Sequence, residues 1–463
     1  MLKKQMDNKS YLSCRKCTDT EKNNMNVITH VGWLWSLMAL FSLLFFPVAI
    51  AWCWICVEFN QGAMLLPKAL TLEAFSTWWY NDIQARIIAH ALPNRQVWLI
   101  YLVWNAFQAL LFALLPGPTL YGSPICDGKT RLKYTLNGQN AWFVTLLVVG
   151  CLHLTNIFPL TILYDQFAPL LSVSIIFTSL VVGLIYLYAM IYQCVERQTD
   201  SIIYDYFMGA MVNPRIGNFD VKFFFELRPG IMQWFFTTLA LAAKQYETYG
   251  TISTPMALIC FYHLCFVNAC YKGEGCVIFT IDIIYEKFGW MLCMLDLVMV
   301  PFIFPLQAYY LYKIGPFEYS LPYTILVASM HIIGYLIFDT ANSQKDFFRE
   351  KYGEEIPKGF PRLPWGKLNN PKSLKTERGT NLLIDGWWKY SRHMNYLGDM
   401  MMSWSWGLTC GFGSYFPYAY TTYLTPLLFH RERRDNHDCQ HKYGKDWDRY
   451  CRIVPYRIIP YIY

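Results

Sequence analysis

The chain has 463 residues, of which 55% are hydrophobic and only 15% charged, with 34 Tyr, 32 Phe and 17 Trp. Charged residues make up about a quarter of an ordinary soluble domain, so this composition excludes a disordered, fibrous or soluble cytosolic chain and indicates a membrane protein. The formal charge of +7 is small and dispersed, and we expect no nucleic-acid partner.

The chain begins with a polar tail, residues 1–30, followed by an apolar run from Val31 to Val57 that is too long for a signal-peptide core and predicts a membrane helix. In the tail, Cys14 and Cys17 have the spacing of a metal or redox pair, but no second Cys/His pair follows nearby, so a tail with two plain thiols is the alternative. Cysteines within apolar runs behave as small hydrophobes, and we expect few or no disulfides. These cysteines are Cys53, Cys56, Cys151, Cys260, Cys293 and Cys410.

Apolar runs of membrane-spanning length recur along the chain. After the first, they cover roughly residues 97–115, 141–163, 168–193, 229–244, 252–271, 289–312, 320–340, 397–412 and 414–430. At roughly 20 residues per membrane helix, they predict an all-α polytopic membrane protein with about ten transmembrane helices. The expected organisation is a polar tail (1–30), an N-terminal membrane part (31–340) and a C-terminal part (341–463) that carries the last two membrane helices.

The basic residues predict the orientation of these spans. If the N-terminus is cytosolic, the segments between spans on that side hold 34 of the 39 Lys and Arg residues. Because loops retained in the cytosol carry the Lys/Arg excess, both termini are expected in the cytosol.

The first dense polar stretch, residues 339–349, follows the apolar run 320–340. Lys345 and Arg349 are four residues apart, so on a helix they share one face and could hold a phosphate together. The alternative is a pair of cations that anchors the end of a span.

The second stretch, residues 382–399, places Trp387, Trp388, Arg392 and His393 just before a predicted span. Asp399 lies at the start of the apolar run, where a carboxylate is unfavourable unless it is paired. Function and interface anchoring both remain open for this stretch.

The third stretch, residues 430–450, alternates acids and bases, which is typical of a solvated helix. His437 and His441 have the spacing of a helical metal pair, but the usual intervening Glu is absent and Cys439 falls on another face, so we expect no metal. The sequence contains no Gly-x-Gly-x-x-Gly fingerprint, which argues against a Rossmann domain. Elsewhere, Glu274 and Asp282 lie near predicted spans. The sequence leaves open whether they are buried acids with a raised pKa or ordinary loop acids.

Several motifs in order resemble the sterol reductase family, whose members reduce the Δ14, Δ7 or Δ24(28) double bond of sterols with NADPH. The resemblance covers about residues 205–463. Its motifs are Phe207-Met-Gly, Asn213-Pro-Arg, Arg228-Pro-Gly, Ala341-Asn-Ser-Gln-Lys345, Leu382-Leu-Ile-Asp-Gly-Trp387, Arg392-His-Met-Asn-Tyr396, His430-Arg, Arg434-Asp435, Lys442-Tyr-Gly-Lys-Asp-Trp447 and Val454-Pro-Tyr-Arg.

Within the family, the segments 244–250, 268–274, 285–289, 338–342 and 383–386 resemble the Δ24(28) reductases. A Tyr and an Asp implicated near the sterol in the Δ7 and Δ14 branches align with Phe266 and Asn268, so both are missing here. The segment 392–399 is closer to the Δ7 and Δ14 branches. The resemblance therefore favours Δ24(28) activity, followed by Δ7 and then Δ14.

The resemblance also implies a site. The family's NADPH pocket falls on Lys345, Arg349, Leu383, Trp388, Asn395, Tyr396, Arg431, Asp435, Cys439, Lys442, Tyr443 and Tyr450. Asp435 is expected to organise the nicotinamide end, and Glu274, Tyr271 and Asp399 are the other catalytic candidates, as proton donors. The expected partners are a sterol taken from the bilayer and membrane lipid, with an endoplasmic-reticulum-type membrane, or a bacterial inner membrane, as the location.

Two other classes remain. The Arg-His and Asn-Tyr pairs of 392–396 with a later Lys-Tyr-Gly also resemble an isoprenylcysteine-type membrane methyltransferase, which would bind S-adenosylmethionine. A non-enzymatic scaffold like the nuclear-envelope lamin receptor is the other, although a tail of about 30 residues is too short for its chromatin-reading domain.

Overall fold

The computed structural model of the chain describes residues 31–125, 130–192, 199–351 and 366–463, the side chains of residues 350 and 351 excepted. Cys14, Cys17 and residues 352–365 lie outside the described residues. The six cysteines of the apolar runs named above carry free thiols.

The N-terminal part consists of helices and one β-hairpin. In chain order they are α1 (Trp33–Asn60), α2 (Leu72–Thr77), a π-helical turn (Trp78–Gln84), α3 (Ala85–His90), α4 (Arg95–Leu114), β1 (Thr119–Pro124), β2 (Arg131–Thr135), α5 (Gly138–Leu154), α6 (Ile162–Asp165) and α7 (Phe167–Ile191). The α2–α3 region was not predicted, because its apolar residues are too few for a span.

The middle part alternates long and very short helices. It contains α8 (Ile202–Met208), β3 (Arg215–Ile216), β4 (Phe219–Asp220), α9 (Val221–Leu227), α10 (Pro229–Tyr249), α11 (Thr254–Lys272), α12 (Glu274–Val277), α13 (Ile281–Ile284), α14 (Trp290–Met294), a π-helical turn (Leu295–Met299), α15 (Val300–Ile303) and α16 (Leu306–Ile314). Several of these helices begin at a side-chain cap, for example α9 at Asp220 and α11 at Ser253.

The C-terminal part carries the three dense polar stretches of the sequence, residues 339–349, 382–399 and 430–450. It contains α17 (Leu321–Lys351), β5 (Ser373–Lys375), β6 (Asn381–Leu383), a 3₁₀ turn (Gly386–Lys389), α18 (Met394–Thr409), a second 3₁₀ turn (Phe416–Tyr418), α19 (Ala419–Tyr443) and α20 (Lys445–Ile453). Both α17 and α19 continue beyond the apolar runs that predicted them, so their polar ends are helical.

Among the described residues, six helical segments are long and apolar enough to cross a membrane, and α5 is a shorter apolar helix. The six are α1, α4, α7, α11, the continuous run from α14 to α16, and α17 as far as Arg349. Each apolar run predicted from the sequence coincides with a helix. The all-α, polytopic membrane architecture is confirmed, whereas the count of ten spans stays a prediction.

The described sheets are three two-stranded antiparallel pairs, β1–β2, β3–β4 and β5–β6. A Rossmann domain needs an open, mostly parallel sheet with helices on both faces. The described residues therefore contain no Rossmann fold, as the missing glycine fingerprint indicated.

Helices α17 and α18 pack closely along their length through two glycines. A Cβ atom on Gly334 would lie 2.8 Å from the carbonyl oxygen of Gly398, and one on Gly398 would lie 2.6 Å from that of Gly334. Small residues at such a crossing let two membrane helices approach backbone to backbone. This contact fixes the polar end of α17 beside the start of α18.

Candidate active site

Two cations lie at the polar end of α17. Lys345 and Arg349 follow each other at helical spacing, and the Nζ atom of Lys345 lies 4.3 Å from the centroid of the Trp388 ring. A cation near the C-terminal end of a helix interacts favourably with the helix dipole. The two residues lie on one helix, as the spacing predicted, and Trp388 lies beside Lys345.

The wall opposite these cations comes from the segment after β6. Trp388 is buried, and its indole nitrogen donates to the carbonyl oxygen of Ala341 on α17 at 2.9 Å. Leu383 packs against Trp388 and Phe348, while the indole nitrogen of Trp387 donates to Thr340 Oγ1 at 2.7 Å. The aromatic wall is thus tied to the helix that carries the cations.

His393 joins the start of α18 to α19. Its Nε2 atom lies 3.1 Å from Oδ2 of Asp435, and its ring stacks on Tyr396 with centroids 4.8 Å apart. Burial acts to raise the pKa of Asp435. The hydrogen bond to His393 and the charges of Lys345 and Arg349 together outweigh this effect, so the pKa lies below its usual value. Asp435 is therefore a carboxylate at neutral pH, within electrostatic range of both cations.

Asn395 supplies an unpaired acceptor between these elements. Its Nδ2 atom donates to Oδ1 of Asn342 on α17 at 3.2 Å. Its own Oδ1 atom is buried and has no hydrogen-bond partner in the described part of the chain. Because a buried carbonyl without a partner is unfavourable, this atom marks a place for a donor group of a ligand. The carboxamide of a nicotinamide is a donor of that kind.

The end of α19 and α20 form an aromatic surface. Tyr450 stacks on Trp447 with ring centroids 5.0 Å apart, and the centroid of the Tyr443 ring lies 6.4 Å from that of Trp447. Lys442 lies 4.9 Å from the Tyr443 ring. Burial raises the pKa of Cys439 to about 12, so its thiol is neutral and is not a nucleophile at neutral pH.

Arg431 lies one helical turn before Asp435 and is paired with a residue far away in sequence. Its guanidinium forms an ion pair with the carboxylate of Asp282, just after the start of α13. The sequence placed Asp282 only among possible buried or loop acids. The structure brings it to Arg431, one of the residues implied for the cofactor pocket, and no local sequence signal could have paired residues 149 positions apart.

Asp399 lies one turn after Asn395 on the same face of α18. Its Oδ1 atom is buried and has no hydrogen-bond partner within the described ranges. It lies close enough to Arg431, Tyr396 and Tyr420 to interact with them electrostatically. Asp399 therefore belongs to the same cluster as Asn395 and Asp435.

Glu274 and Tyr271 form a different cluster. The carboxylate of Glu274 is paired with the buried guanidinium of Arg228 and accepts from the backbone nitrogen of Gly138 at 2.7 Å. Tyr271 stacks on Trp142 with centroids 5.7 Å apart. Both oxygens of Glu274 are thus engaged in joining α12 to α5 and α10. The contacts do not bring Glu274 and Tyr271 to the His393–Asp435 pair, and their catalytic role stays a prediction.

A cavity of about 270 Å³ lies between α11 and α17, next to Asn342. Whole-ligand pockets usually measure about 300–1,000 Å³, so it suits one end of a larger molecule. Its lining residues are Leu227, Phe266, Ala269, Cys270, Lys272, Gly273, Gly275, Cys276, Val277, Thr280, Phe338, Asp339, Asn342, Ser343 and Asp346. Because Asn342 lines the cavity, the cavity borders the Asn342–Asn395 contact, and its other walls come from α11, α17 and residues 273–280.

His437 and His441 face each other on the exposed side of α19. Their Nε2 atoms are 3.1 Å apart, as the spacing allows. The described residues contain no group of three or more His, Cys, Asp or Glu side chains able to hold a metal ion.

Sequence reasoning left His393, Asn342 and Asp282 out of the implied site. His393 stands next to Arg392 in a matched motif, so its position was visible, but its partner Asp435 was not. Asn342 also lies in a motif, but its hydrogen bond with Asn395 depends on how α17 packs against α18, which the motif does not show.

The comparison with known proteins is consistent along almost the whole chain. The ergosterol biosynthesis ERG4/ERG24 family matches residues 35–463. The chain is 40% identical over 419 residues to the Delta(14)-sterol reductase of Dictyostelium discoideum, which covers 89% of this chain and 88% of that protein. Over 434 residues it is 40% identical to the Delta(14)-sterol reductase of Methylotuvimicrobium alcaliphilum, and this match covers 93% of this chain and 95% of that protein. It is also 36% identical over 429 residues to the Delta(24(24(1)))-sterol reductase erg4A of Aspergillus fumigatus, and this match covers 90% of this chain and 89% of that protein.

Proposed function

The chain belongs to the ergosterol biosynthesis ERG4/ERG24 family, and we propose that it reduces a carbon–carbon double bond of a sterol with NADPH. The observation that carries this proposal is the position of the 270 Å³ cavity. The cavity lies between membrane helices and borders the Asn342–Asn395 contact, beyond which lie the cations, aromatic rings and Asp435. A lipid-soluble substrate and an anionic cofactor could therefore meet at this point.

The residues present fit a dinucleotide phosphate. Lys345 and Arg349 offer charge-assisted hydrogen bonds to phosphate oxygens, and Trp388 and Tyr443 offer flat surfaces for aromatic rings. The unpaired Oδ1 atom of Asn395 can accept from the carboxamide of a nicotinamide. When bound there, NADPH supplies the hydride.

The reduction also needs a proton, because an isolated alkene is a poor hydride acceptor. Proton addition to the terminal methylene at carbon 28 leaves positive charge on the tertiary carbon 24, which then accepts the hydride. Asp435 has a pKa below the usual value and is a poor proton donor at neutral pH. Asp399 is the better candidate, because its carboxyl is buried in the same cluster and keeps an unpaired oxygen. Asp435 then serves as the carboxylate that organises the nicotinamide end, and its hydrogen bond with His393 helps to keep it ionised.

Two double bonds are the leading candidates, and Δ7 is kept as a third. The Δ24(24(1)) bond named for the Aspergillus relative is the exocyclic methylene bond also numbered Δ24(28). We place Δ24(28) first, because the cavity is lined largely by residues 266–280, which include a segment that resembles the Δ24(28) reductases and lack the Tyr and Asp of the Δ7 and Δ14 branches. Δ14 is the second candidate, because relatives named Δ14 reach 40% identity.

The orientation proposed from the basic residues agrees with this chemistry. With both termini in the cytosol, the cation-rich end of α17 and the end of α19 face the compartment from which a soluble cofactor binds. The sterol then reaches the cavity from the bilayer of an endoplasmic-reticulum-type membrane.

Sterol profiling in yeast strains tests the substrate. In a strain without its own Δ24(28) reductase, expression of the chain should replace the accumulated 24(28)-methylene sterol with its saturated product. Continued accumulation despite good expression would reject Δ24(28), and Δ14- and Δ7-deficient strains would then identify or reject the other bonds. Retention of S-adenosylmethionine without NADPH by the purified protein would instead favour the methyltransferase alternative.

A further inference from the structure

Lys222 on α9 is an ammonium group sealed inside the protein. It has 0% exposure, and its Nζ atom donates to the carbonyl oxygens of Asp282, Ile283 and Glu286 at 2.8, 2.7 and 2.8 Å. These three carbonyls belong to α13 and the turn that follows it, a segment we call the 282–286 turn. A buried cation is unfavourable unless it is hydrogen-bonded, so the turn and Lys222 stabilise each other.

The helix that carries Lys222 is itself held in place. Its N-terminal cap, Asp220, accepts from the backbone nitrogen of Phe223 at 2.9 Å and forms a buried ion pair with Arg215 at 2.8 Å. Lys222 therefore extends from a fixed point of the middle part of the chain.

The other side of the 282–286 turn faces α19. Asp282 is paired with Arg431, and Glu286 lies 3.4 Å from Arg434. The two pairs are similarly exposed, with side-chain exposures of 25% for Asp282 and 34% for Arg431, against 21% for Glu286 and 43% for Arg434, but the contact of Asp282 with Arg431 is the shorter of the two. Partly buried ion pairs are screened less by water and salt than exposed ones. The Asp282–Arg431 pair thus determines where the Arg431 guanidinium lies.

We propose that Lys222 and Asp282 are positioning residues of the cofactor site. The Lys222 ammonium holds the 282–286 turn, the turn presents the Asp282 carboxylate, and that carboxylate holds Arg431 one helical turn from Asp435. Arg431 is thereby pre-organised for an anionic group of the cofactor before that group binds, which lowers the conformational entropy lost on binding. This inference rests on the proposed NADPH-dependent function.

The competing explanation is that Lys222 and Asp282 only stabilise the fold. A purely structural role lowers the fraction of protein able to bind, but it leaves the dissociation constant of the folded molecules unchanged. A positioning role raises the dissociation constant at unchanged stoichiometry. Titration of the purified full chain with NADPH, followed by quenching of tryptophan fluorescence, measures both quantities without turnover.

The variants are Asp282→Asn and Lys222→Met, with Glu286→Gln as the matched control from the same turn. Loss of one charge-assisted contact to Arg431 should raise the dissociation constant for NADPH by about tenfold in Asp282→Asn. The same direction is expected for Lys222→Met. Glu286→Gln should remain within about twofold of the wild type, since its 3.4 Å contact is the longer one and its partner Arg434 is not among the residues implied for the cofactor pocket. Asp282→Glu, which restores the charge, should recover part of the affinity.

Each outcome has one meaning. Wild-type affinity in folded Asp282→Asn overturns the inference, and so does an equal loss in Glu286→Gln. If Lys222→Met fails to fold, Asp282→Asn and Asp282→Glu still decide. Absence of NADPH binding by the wild-type protein would instead overturn the proposed function, which separates the two failures.

Discussion

His393, at the N-cap of α18, and Asp435 on α19 are joined by a contact of 3.1 Å between Nε2 and Oδ2. The same histidine stacks on Tyr396, so one ring connects the aromatic, acidic and amide parts of the site. Because the two residues come from different helices, this contact holds the start of α18 against the polar end of α19. The proposed function depends on that alignment.

Replacing His393 with Ala should change the pH dependence of turnover. The hydrogen bond to His393 lowers the pKa of Asp435, so its loss raises that pKa and the carboxylate becomes protonated at a higher pH. The acid limb of the kcat–pH profile is expected to move to higher pH. His437→Ala, on the exposed side of α19, is the control and should leave the profile unchanged. If the acid limb of His393→Ala stays at the wild-type pH, the contact between His393 and Asp435 does not influence turnover through the pKa of Asp435.

Replacing Lys345 and Arg349 together with Ala should weaken NADPH binding. Charged hydrogen bonds contribute about 1.5–3 kcal/mol each, so the loss of both should raise the KM for NADPH by roughly 100-fold or more. The KM for the sterol is expected to change little, because the cavity residues are untouched. Lys375→Ala, an exposed cation on β5, is the matched control. An unchanged KM for NADPH in the double variant would place the phosphates elsewhere.

Asp399→Asn and Glu274→Gln distinguish the two carboxyl groups among the candidate proton donors. Asp399→Asn should abolish measurable turnover while NADPH still binds, because an amide cannot supply the proton. Glu274→Gln breaks a buried ion pair with Arg228 and should instead lower the free energy of unfolding, typically by about 3–5 kcal/mol. The molecules that remain folded should still be active. The reverse pattern, with Asp399→Asn active and Glu274→Gln folded but inactive, would reassign the donor to Glu274.

Much of this architecture follows from local sequence, and the reasons are physical. Each apolar run coincides with a helix because a membrane-embedded backbone must satisfy its own hydrogen bonds. The shared face of Lys345 and Arg349 followed from helical spacing alone. Sequence did not reveal that α17 continues to Lys351, because a polar helix end has no apolar signal and is held here by packing against α18.

The contacts that define the site are of another kind. Lys222 is surrounded by residues about 60 positions away, and Arg431 pairs with Asp282 across 149 positions. No periodicity or motif encodes such partners, because they result from how whole helices pack. The sequence could therefore name residues of the site but not which of them hold one another.

Glu226, one helical turn after Lys222, gives a stability prediction with a defined sign. Burial, reinforced by Asp282, raises the pKa of Glu226 from 4.5 to about 8, while Lys222 and Arg431 act to lower it and Asp220 to raise it. The unfolded chain thus binds fewer protons at this site than the folded chain between those two values. The contribution of Glu226 to stability must fall as pH rises through that window.

Thermal melts of the wild type and Glu226→Gln in detergent, at pH 5, 6, 7 and 8, check this sign. The Tm of the wild type should decline relative to that of the variant as pH rises, because the amide cannot ionise. Parallel Tm curves for the two proteins would show that Glu226 does not titrate in this window.

The most direct test of the central claim follows the hydride. Purified protein is supplied with a 24(28)-methylene sterol and with NADPH deuterated at the transferred position of the nicotinamide, and the product is analysed by mass spectrometry. The account predicts NADPH consumption matched to sterol reduced, with one deuterium in each product molecule and the second hydrogen derived from water. If neither this sterol nor its Δ14 and Δ7 counterparts gain deuterium while the protein is folded and binds NADPH, the chain is not the sterol reductase described here.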